Sequence, residues 1–207
     1  LDGLTETGNA YSITITDASV DAAALNTLDG KTTVAIDAST ITTLPGSADD
    51  LITAYDANGS GITGLGNEAA TLSDTTLAVS VLNALDDNTT GTIDASTVTT
   101  LTGSADDLIT AYDANGSGIT GLGNEAVSVN SDTATTAQAN TLAAATSGVV
   151  TATISDGDLA TLDGLTETGN AYSITITDAS VDAAALNTLD GKTTVAIDAS
   201  TITTLPG

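Results

Sequence analysis

The chain has 207 residues, of which 27 are acidic and only 2 are basic, and it contains no histidine or cysteine, so its formal net charge is −25. This charge excludes nucleic acid and anionic membranes as partners, because both are bound through lysine and arginine. The missing residue types exclude disulfides, thiolate and imidazole metal sites, and cysteine or histidine catalysis. No apolar run is long enough for a transmembrane helix, which predicts that the chain does not insert into a membrane.

Eight short segments alternate apolar residues with Thr, Ser, Ala or Asp, which is the pattern of a strand with one buried face. In the first of them we expect Ile13 and Ile15 to point inward and Thr14 to point outward. The predicted strands are 11–17, 34–39, 70–74, 91–96, 127–132, 151–156, 172–178 and 195–200.

The segments between these strands have helical spacing. Leu77, Val81 and Leu85 recur every four residues and predict one helix. Val20 to Leu28 predicts another, with Gly30 where the helix ends. Ser47 followed by Asp50 resembles a capping box at the start of a third helix.

Long stretches of the sequence recur without change. Residues 1–46 are identical to residues 162–207, a period of 161, and residues 46–69 are identical to residues 103–126, an offset of 57. Exact recurrence is typical of repeat architectures, in which each unit packs on its neighbours. We therefore interpret residues 1–207 as one continuous repeat array and as a slice of a longer protein.

The order strand, turn, helix, turn predicts an α/β fold, specifically a right-handed β/α solenoid of stacked strand–helix coils with one parallel sheet. The strand spacing predicts coils of about 20 to 24 residues, and of about 37 where the segment "SADDLITAYDANGSG" is inserted. The alternative is a doubly wound α/β domain. Exact repetition disfavours it, because a closed domain gives its successive units different environments.

Nearly every predicted strand ends in an aspartate: Asp17, Asp37, Asp74, Asp94, Asp132, Asp156, Asp178 and Asp198. One interpretation is that each carboxylate caps the helix or turn that comes after it. The other is that stacking places these carboxylates about 5 Å apart in a ladder that Ca²⁺ neutralises.

The stretch "YDANGSGITGLGNEA" occurs at 55–69 and again at 112–126, and it resembles the start of a calcium loop. Asp56, Asn58 and Ser60 occupy ligand positions one, three and five, but position twelve is Asn67, and Glu68 comes one residue late. A glycine-rich turn that leaves a helix explains the same letters, and we favour it. If Ca²⁺ binds, the second loop must bind it as well, through the equivalent residues Asp113, Asn115 and Ser117.

The units "LSDTTLAVSVLNALDDNTTGTIDASTVTTLTGSADDLITAY" and "GITGLGNEA" resemble tandem repeats in giant, acidic surface or secreted proteins of marine cyanobacteria, of the type associated with swimming without flagella. The resemblance covers essentially the whole chain. It implies an extracellular or cell-surface location, a structural or motility-related role, and no enzymatic activity in the array.

The leading hypothesis is therefore a non-enzymatic structural repeat segment of a large extracellular or cell-surface protein, as part of a filament, coat, adhesion or motility scaffold. Its expected partners are other copies of the same repeat or protein, with cell-surface glycans as a further class. A calcium-dependent adhesion module is the first alternative. The second is a carboxylate-based enzyme acting on polysaccharide, for which the least repetitive stretch offers only Asp132, Asp156 and Asp158.

Overall fold

The computed structural model describes residues 4–207, which form two compact units. The first unit comprises residues 4–98 and 114–121, and the second comprises residues 99–113 and 122–207. Both units alternate strands with helices, and every strand pairing within their described residues is parallel. The chain is therefore of the α/β class. No helix in the described part of the chain is long and apolar enough to cross a membrane.

The described residues of the first unit form three helices and seven strands. Its elements are α1 (Ala22–Asp29), β1 (Ile36–Asp37), β2 (Thr43–Gly46), α2 (Ala48–Ala57), β3 (Ile62–Thr63), β4 (Ala69–Leu72), β5 (Thr76–Ala78), α3 (Val79–Asn88), β6 (Ile93–Asp94) and β8 (Ile119–Thr120). Strands β1 and β3 form a two-stranded sheet, and the order β2-β4-β6-β8 forms a four-stranded one. Helix α2 packs against both α1 and α3, and the fully buried Leu25, Leu51 and Leu82 lie on these three helices.

The second unit, all of which the structure describes, contains four helices and four strands. Its elements are β7 (Thr100–Gly103), α4 (Ala105–Ala114), β9 (Ala126–Val129), α5 (Thr136–Ala145), β10 (Val150–Thr153), α6 (Leu159–Leu162), β11 (Ala171–Ser173) and α7 (Ala183–Asp190). Its strands lie in the order β11-β10-β9-β7. The side chains of Leu101, Leu108 and Leu142 are fully buried in this unit.

The prediction of eight strands in one parallel sheet is wrong in the number of sheets. Strands β1 and β2 are close neighbours in the sequence but lie in different sheets. A turn separates them: the Asp37 carboxylate accepts a hydrogen bond from Ser39 N at 3.1 Å, and Ile41 N donates to Ala38 O at 3.0 Å. Because this turn ends one strand and redirects the chain, the predicted segment forms only a short strand and the next strand belongs to another sheet.

The sequence interval between paired residues of neighbouring strands is short and regular. In the first unit Leu44 pairs with Ala70, a sequence interval of 26, and Ala70 pairs with Ile93, an interval of 23. In the second unit Leu101 pairs with Val127 and Val127 with Val150, which gives the same two intervals in the same order. The interval then falls to 20 between β10 and β11.

The expected interval of about 37 across the inserted segment is wrong. Ile36 pairs with Ile62, an interval of only 26, because the glycine-rich segment after α2 itself contributes strand β3. Strand β8 does the same after α4, where Ile93 pairs with Ile119. These two isoleucine–threonine strands are too short for the alternation pattern to detect.

The helix predictions are confirmed, with shifts of one or two residues at their starts. Helix α1 ends at Gly30, as predicted. Ser47 caps α2 by accepting a hydrogen bond from Asp50 N at 3.2 Å, and the Ser47 hydroxyl donates to the Asp50 carboxylate at 2.6 Å. This exchange differs from a capping box, in which the third residue would accept from the backbone of the cap. Helix α3 begins at Val79, so Leu77 lies in β5.

Candidate functional site

The predicted calcium loop of the first unit begins where α2 ends, and its side chains bind the loop's own backbone. Asn58 donates to Leu65 O at 3.1 Å and accepts from Leu65 N at 3.3 Å. Ser60 donates to Ala57 O at 3.0 Å, and Gly59 has a φ of +91°, which favours glycine. The Asn58 amide therefore closes this loop without a metal ion.

Glu68, which lies after this loop, is a buried carboxylate of the first unit and is only 1% exposed. Its oxygens accept hydrogen bonds from Gly66 N at 2.9 Å and Asn67 N at 3.1 Å. Hydrogen bonds from two backbone N–H groups compensate the carboxylate for the hydration that it loses on burial. Glu68 thus acts as an internal cap of the glycine-rich turn, whereas Asp56 is exposed.

A tyrosine from the preceding helix lies beside this carboxylate. The Tyr55 hydroxyl is buried near Glu68 but makes no hydrogen bond of normal geometry. Burial, followed by the neighbouring Glu68, raises the pKa of Tyr55. The Thr89 hydroxyl donates to the backbone carbonyl of Glu68 at 3.0 Å, which ties the same turn to the end of α3.

The second unit repeats this arrangement around Glu125, which is fully buried. Its carboxylate accepts from Gly123 N at 2.9 Å and Asn124 N at 3.0 Å, and the Tyr112 hydroxyl donates a hydrogen bond to it. Burial, followed by Glu125, raises the pKa of Tyr112. The Thr146 hydroxyl donates to the Glu125 carbonyl at 2.7 Å. Two identical sequences thus form nearly the same buried polar cluster.

The six residues of the calcium hypothesis remain a prediction that the geometry does not test. Asp56 lies in the last turn of α2, and Asn58 and Ser60 lie on the loop after it. Asp113, Asn115 and Ser117 occupy the corresponding places in α4 and on the loop after it. Ser117 donates to Ala114 O at 2.9 Å, as Ser60 does to Ala57 O. Within residues 4–207, no group of three or more Asp or Glu side chains is arranged so that it could hold a metal ion. Any Ca²⁺ bound at these loops would therefore be held mainly by hydroxyl, amide and carbonyl oxygens.

Seven of the eight aspartates at the predicted strand ends act in two different ways, and no capping hydrogen bond is seen for Asp17 among the described residues. Asp37, Asp94 and Asp198 each accept a hydrogen bond from the backbone N–H two residues later and so cap the turn after the strand, as expected. Hydrogen bonding by the side chains of Ser39 and Ser96, followed by their backbone N–H groups, lowers the pKa of Asp37 and Asp94. The backbone N–H of Ser200, followed by its side chain, lowers the pKa of Asp198.

Four other aspartates cap a helix that precedes them in the chain, which corrects the expectation that each caps the element after it. Each carboxylate accepts a hydrogen bond from the first residue of a helix 19 to 27 residues earlier. The pairs are Asp74 with Ala48 N, Asp132 with Ala105 N, Asp156 with Thr136 N and Asp178 with Leu159 N, at 2.7 to 3.1 Å. These carboxylates join segments that are neighbours in space and distant in sequence.

The expected ladder of aspartates is wrong for the strand-end aspartates whose register is defined. Asp37 lies between Thr14 and Thr63, and Asp94 lies between Thr71 and Thr120. Threonine neighbours on both sides separate like charges, so no cation is needed to neutralise a carboxylate row. The aspartates do not face one another because the strand ends fall at different register positions in successive strands.

The buried Glu68 and Glu125 are the residues that sequence reasoning missed. The signal for them is a glutamate placed between a glycine-rich turn and an apolar strand, where an exposed charge has no evident use. A second signal is the tyrosine that precedes each glutamate as the only aromatic residue of its repeated segment. The sequence prediction treats Glu68 only as a misplaced calcium ligand.

The carboxylates described above bind backbone N–H groups and are distributed along the chain, an arrangement that stabilises turns and helix ends. Comparison with protein-family models, with curated proteins and with solved structures found no match. The functional interpretation therefore depends on this geometry and on the sequence.

Proposed function

We propose that the chain is a non-enzymatic structural repeat segment of a large extracellular or cell-surface protein, folded as a right-handed β/α solenoid. The observation that carries the proposal is the short parallel register, in which strands pair at sequence intervals between 20 and 26 in both units. Regular intervals between paired strands mean that the chain forms stacked coils of similar size. Such a fold can be lengthened by further coils, each of which packs on the previous one, without a separate hydrophobic core.

The polar contacts between coils support the same role. The carboxylates of Asp74 and Asp156 each accept a hydrogen bond at 2.7 Å from the first N–H of a helix in the preceding coil. A charge-assisted hydrogen bond therefore adds to the apolar packing between neighbouring coils. Asn26 adds another contact of this kind, because its amide donates to Asp50 O at 2.9 Å. These two aspartates thus have structural partners, whereas catalysis would require a cluster of carboxylates at one place.

Composition supports a location outside the cell. A net charge of −25 on 207 residues causes strong self-repulsion at low salt, and this repulsion is screened within a few ångströms near molar salt. The chain also contains no Cys, Met, Trp or His, and it therefore lacks the side chains that oxidise most readily. The resemblance to giant surface proteins of marine cyanobacteria points to the same setting.

The proposal is tested with antibodies raised against the folded chain and applied to cells that produce the parent protein. We expect intact cells or their shed material to be labelled, with no increase after permeabilisation. Labelling that requires permeabilisation would contradict an extracellular role. A parallel incubation of the chain with acidic and neutral polysaccharides is expected to release no sugar, and release that disappears in an Asp156→Asn variant would support the enzyme alternative.

A further inference from the structure

Three stretches of the chain have the form Asn-x-Ser or Asn-x-Thr, with a middle residue other than proline. They begin at Asn58, Asn88 and Asn115. In exported proteins this form is the acceptor sequence for attachment of a sugar to the asparagine amide. The three stretches lie in different structural settings, and these settings decide which of them can carry a sugar.

The stretch at Asn58 lies in the loop after α2, where the asparagine amide already has two partners. Asn58 donates to Leu65 O at 3.1 Å and accepts from Leu65 N at 3.3 Å, so the N–H that it uses lies cis to its own oxygen. A sugar would convert this side chain to a secondary amide, whose N–H prefers to lie trans to the oxygen. A glycosylated Asn58 therefore could not keep both hydrogen bonds, and the loop would lose its closure.

The stretch at Asn115 lies in the corresponding loop after α4. Residues 112–126 have the same sequence as residues 55–69. Gly116 N donates to Ile119 O at 2.7 Å, just as Gly59 N donates to Ile62 O at 2.7 Å. The two loops thus share one turn, and we expect a sugar on Asn115 to disrupt it in the same way.

Asn88 lies in a more open setting, at the last residue of α3, and its side chain is exposed. Within residues 4–207 its amide has no hydrogen-bond partner. Thr89 continues the chain in extended conformation, with φ −132° and ψ +145°. Thr90, which supplies the hydroxyl of the acceptor sequence, is exposed as well. A substituent on the Asn88 amide can therefore extend into solvent without breaking an existing contact.

The same place in other coils shows that packing does not determine the residue type there. It is occupied by Lys31, Ala145 and Lys192, each followed by a threonine as Asn88 is. In all four coils the hydroxyl of that threonine donates to a backbone carbonyl 21 residues earlier, at 2.7 to 3.0 Å. The backbone is thus held in the same way whether the preceding side chain is lysine, alanine or asparagine. Side chains of very different size fit at this position.

The geometry points to Asn88 as a site of N-linked glycosylation, at which an oligosaccharide is transferred from a lipid diphosphate carrier. The amide nitrogen of Asn88 forms a bond to the anomeric carbon of the sugar, and the bond between that carbon and the diphosphate oxygen breaks. The lipid diphosphate leaves with the bonding electron pair, and the amide gives one proton to a base of the transferase. This inference rests on the proposed extracellular role, because this modification occurs on exported chains, and it adds a covalent modification to that role.

The first test is mass spectrometry of the parent protein purified from the cells that produce it. We expect a glycopeptide that contains Asn88. The peptides that contain Asn58 and Asn115 should be unmodified, and they serve as internal controls. A mature protein without sugar at Asn88, or with sugar on the two loop asparagines alone, would overturn the inference. Labelling of intact cells by antibodies does not depend on the sugar, so the surface location and the glycosylation can fail separately.

The second test incubates the folded chain with an oligosaccharyltransferase and its lipid-linked oligosaccharide. Modification of Asn88 should fall by about tenfold or more in Thr90→Ala and persist in Thr90→Ser, which keeps the hydroxyl. Ala145→Asn creates the acceptor sequence Asn-Thr-Ser at the equivalent place in the second unit and should add a second modified site.

A synthetic peptide of residues 55–69 is the matched control, because it has the acceptor sequence at Asn58 without the folded loop. We expect the transferase to modify Asn58 in the peptide and to leave it unmodified in the folded chain. Modification of the peptide without modification of Asn88 in the folded chain would contradict the inference. Equal modification of Asn58 in both forms would show that loop closure does not select the site, and would contradict it as well.

Discussion

Replacing the buried carboxylate with Glu125→Ala is the most informative perturbation of the fold. The substitution leaves three donors without their acceptor: Gly123 N, Asn124 N and the Tyr112 hydroxyl. Hydrogen bonds to charged groups contribute about 1.5–3 kcal/mol each and neutral ones about 1 kcal/mol, and neighbouring losses are not additive. We therefore expect the free energy of unfolding to fall by about 3–5 kcal/mol, a large part of the stability of an ordinary domain.

The assay is urea denaturation followed by circular dichroism at 0.15 M salt, because guanidinium would itself screen the high net charge. Glu125→Gln keeps one oxygen for the two backbone donors and should cost about 1 kcal/mol. Glu167→Ala, at an exposed glutamate of the same unit, should change stability by less than about 0.5 kcal/mol. If Glu125→Ala costs no more than this control, the carboxylate does not stabilise the turn and the reasoning fails.

Four further predictions concern other features of the chain. Gly148→Ala places a Cβ against the carbonyl oxygen of Glu125 and should lower the free energy of unfolding by at least about 2 kcal/mol, measured by urea denaturation. Gly30→Ala, at a helical residue where the added Cβ makes only ordinary van der Waals contacts, should be neutral or slightly stabilising in the same assay. Asp74→Ala removes the acceptor of Ala48 N at the start of α2, while the Ser47 cap remains, and should lower the free energy of unfolding by about 0.5–2 kcal/mol in the same assay. Burial, followed by Glu167, raises the pKa of Tyr172 to about 12, so its contribution to stability is complete below pH 10 and is lost as the pH rises towards 12. Calorimetric titration with Ca²⁺ at physiological salt should give no heat, because the glycine-rich turn closes without metal.

Each of these predictions has its own control. A Gly148→Ala cost equal to that of Gly30→Ala would mean that the chain moves freely at this contact. Asp74→Asn retains an acceptor oxygen and should recover most of the cap. Tyr172→Phe should reduce the loss of stability above pH 10, and an unchanged alkaline melting curve would contradict the assignment. Calcium heat that disappears in an Asp56→Asn, Asp113→Asn double variant would establish the metal site instead.

The helices can be predicted well because their signals are local. Apolar spacing and capping residues locate α1 to within two residues, with Gly30 at its end. Helix α5 escapes prediction, although Thr135 and Gln138 form a complete capping box there, because its alanine-rich sequence has little amphipathic contrast. Local chemistry therefore suffices for a helix only when the apolar stripe is distinct.

The division of strands among sheets could not be predicted, because the sequence repeat and the structural interval differ. Strands β1 and β6 are related by the sequence offset of 57 and have similar neighbouring letters. Nevertheless β1 forms a two-stranded sheet with β3 and only an isolated bridge to Thr14 on its other side, while β6 lies between β4 and β8 in a four-stranded sheet. Two pairing intervals, of 26 and 23 residues, lead from Leu44 through Ala70 to Ile93. Together they are shorter than the sequence offset of 57, and a third such interval would exceed it. The sequence repeat is therefore not a whole number of pairing intervals. Identical letters consequently fall in different sheets.

Of the polar contacts, only those between residues close in sequence could be predicted. The turn-capping role of Asp37 follows from its own sequence, since the acceptor and donor are two residues apart. The role of Asp74 depends on Ala48, which becomes its neighbour only when the chain has returned beside itself. The inward position of Glu68 likewise depends on Tyr55 and the end of α3. Contacts of this kind require the register, which composition and periodicity do not provide.

The central proposal, that the chain is a solenoid that lengthens by adding coils, is tested most directly by small-angle X-ray scattering of two chains. The first is the 207-residue chain, and the second continues it with residues 47–207 after Gly207, which adds one full repeat period. At about 24 residues per coil and about 4.8 Å between neighbouring strands, the account predicts a long dimension greater by about 30 Å and an unchanged cross-sectional radius. A cross-section that grows with chain length, with the radius of gyration following the scaling of compact domains, would contradict it.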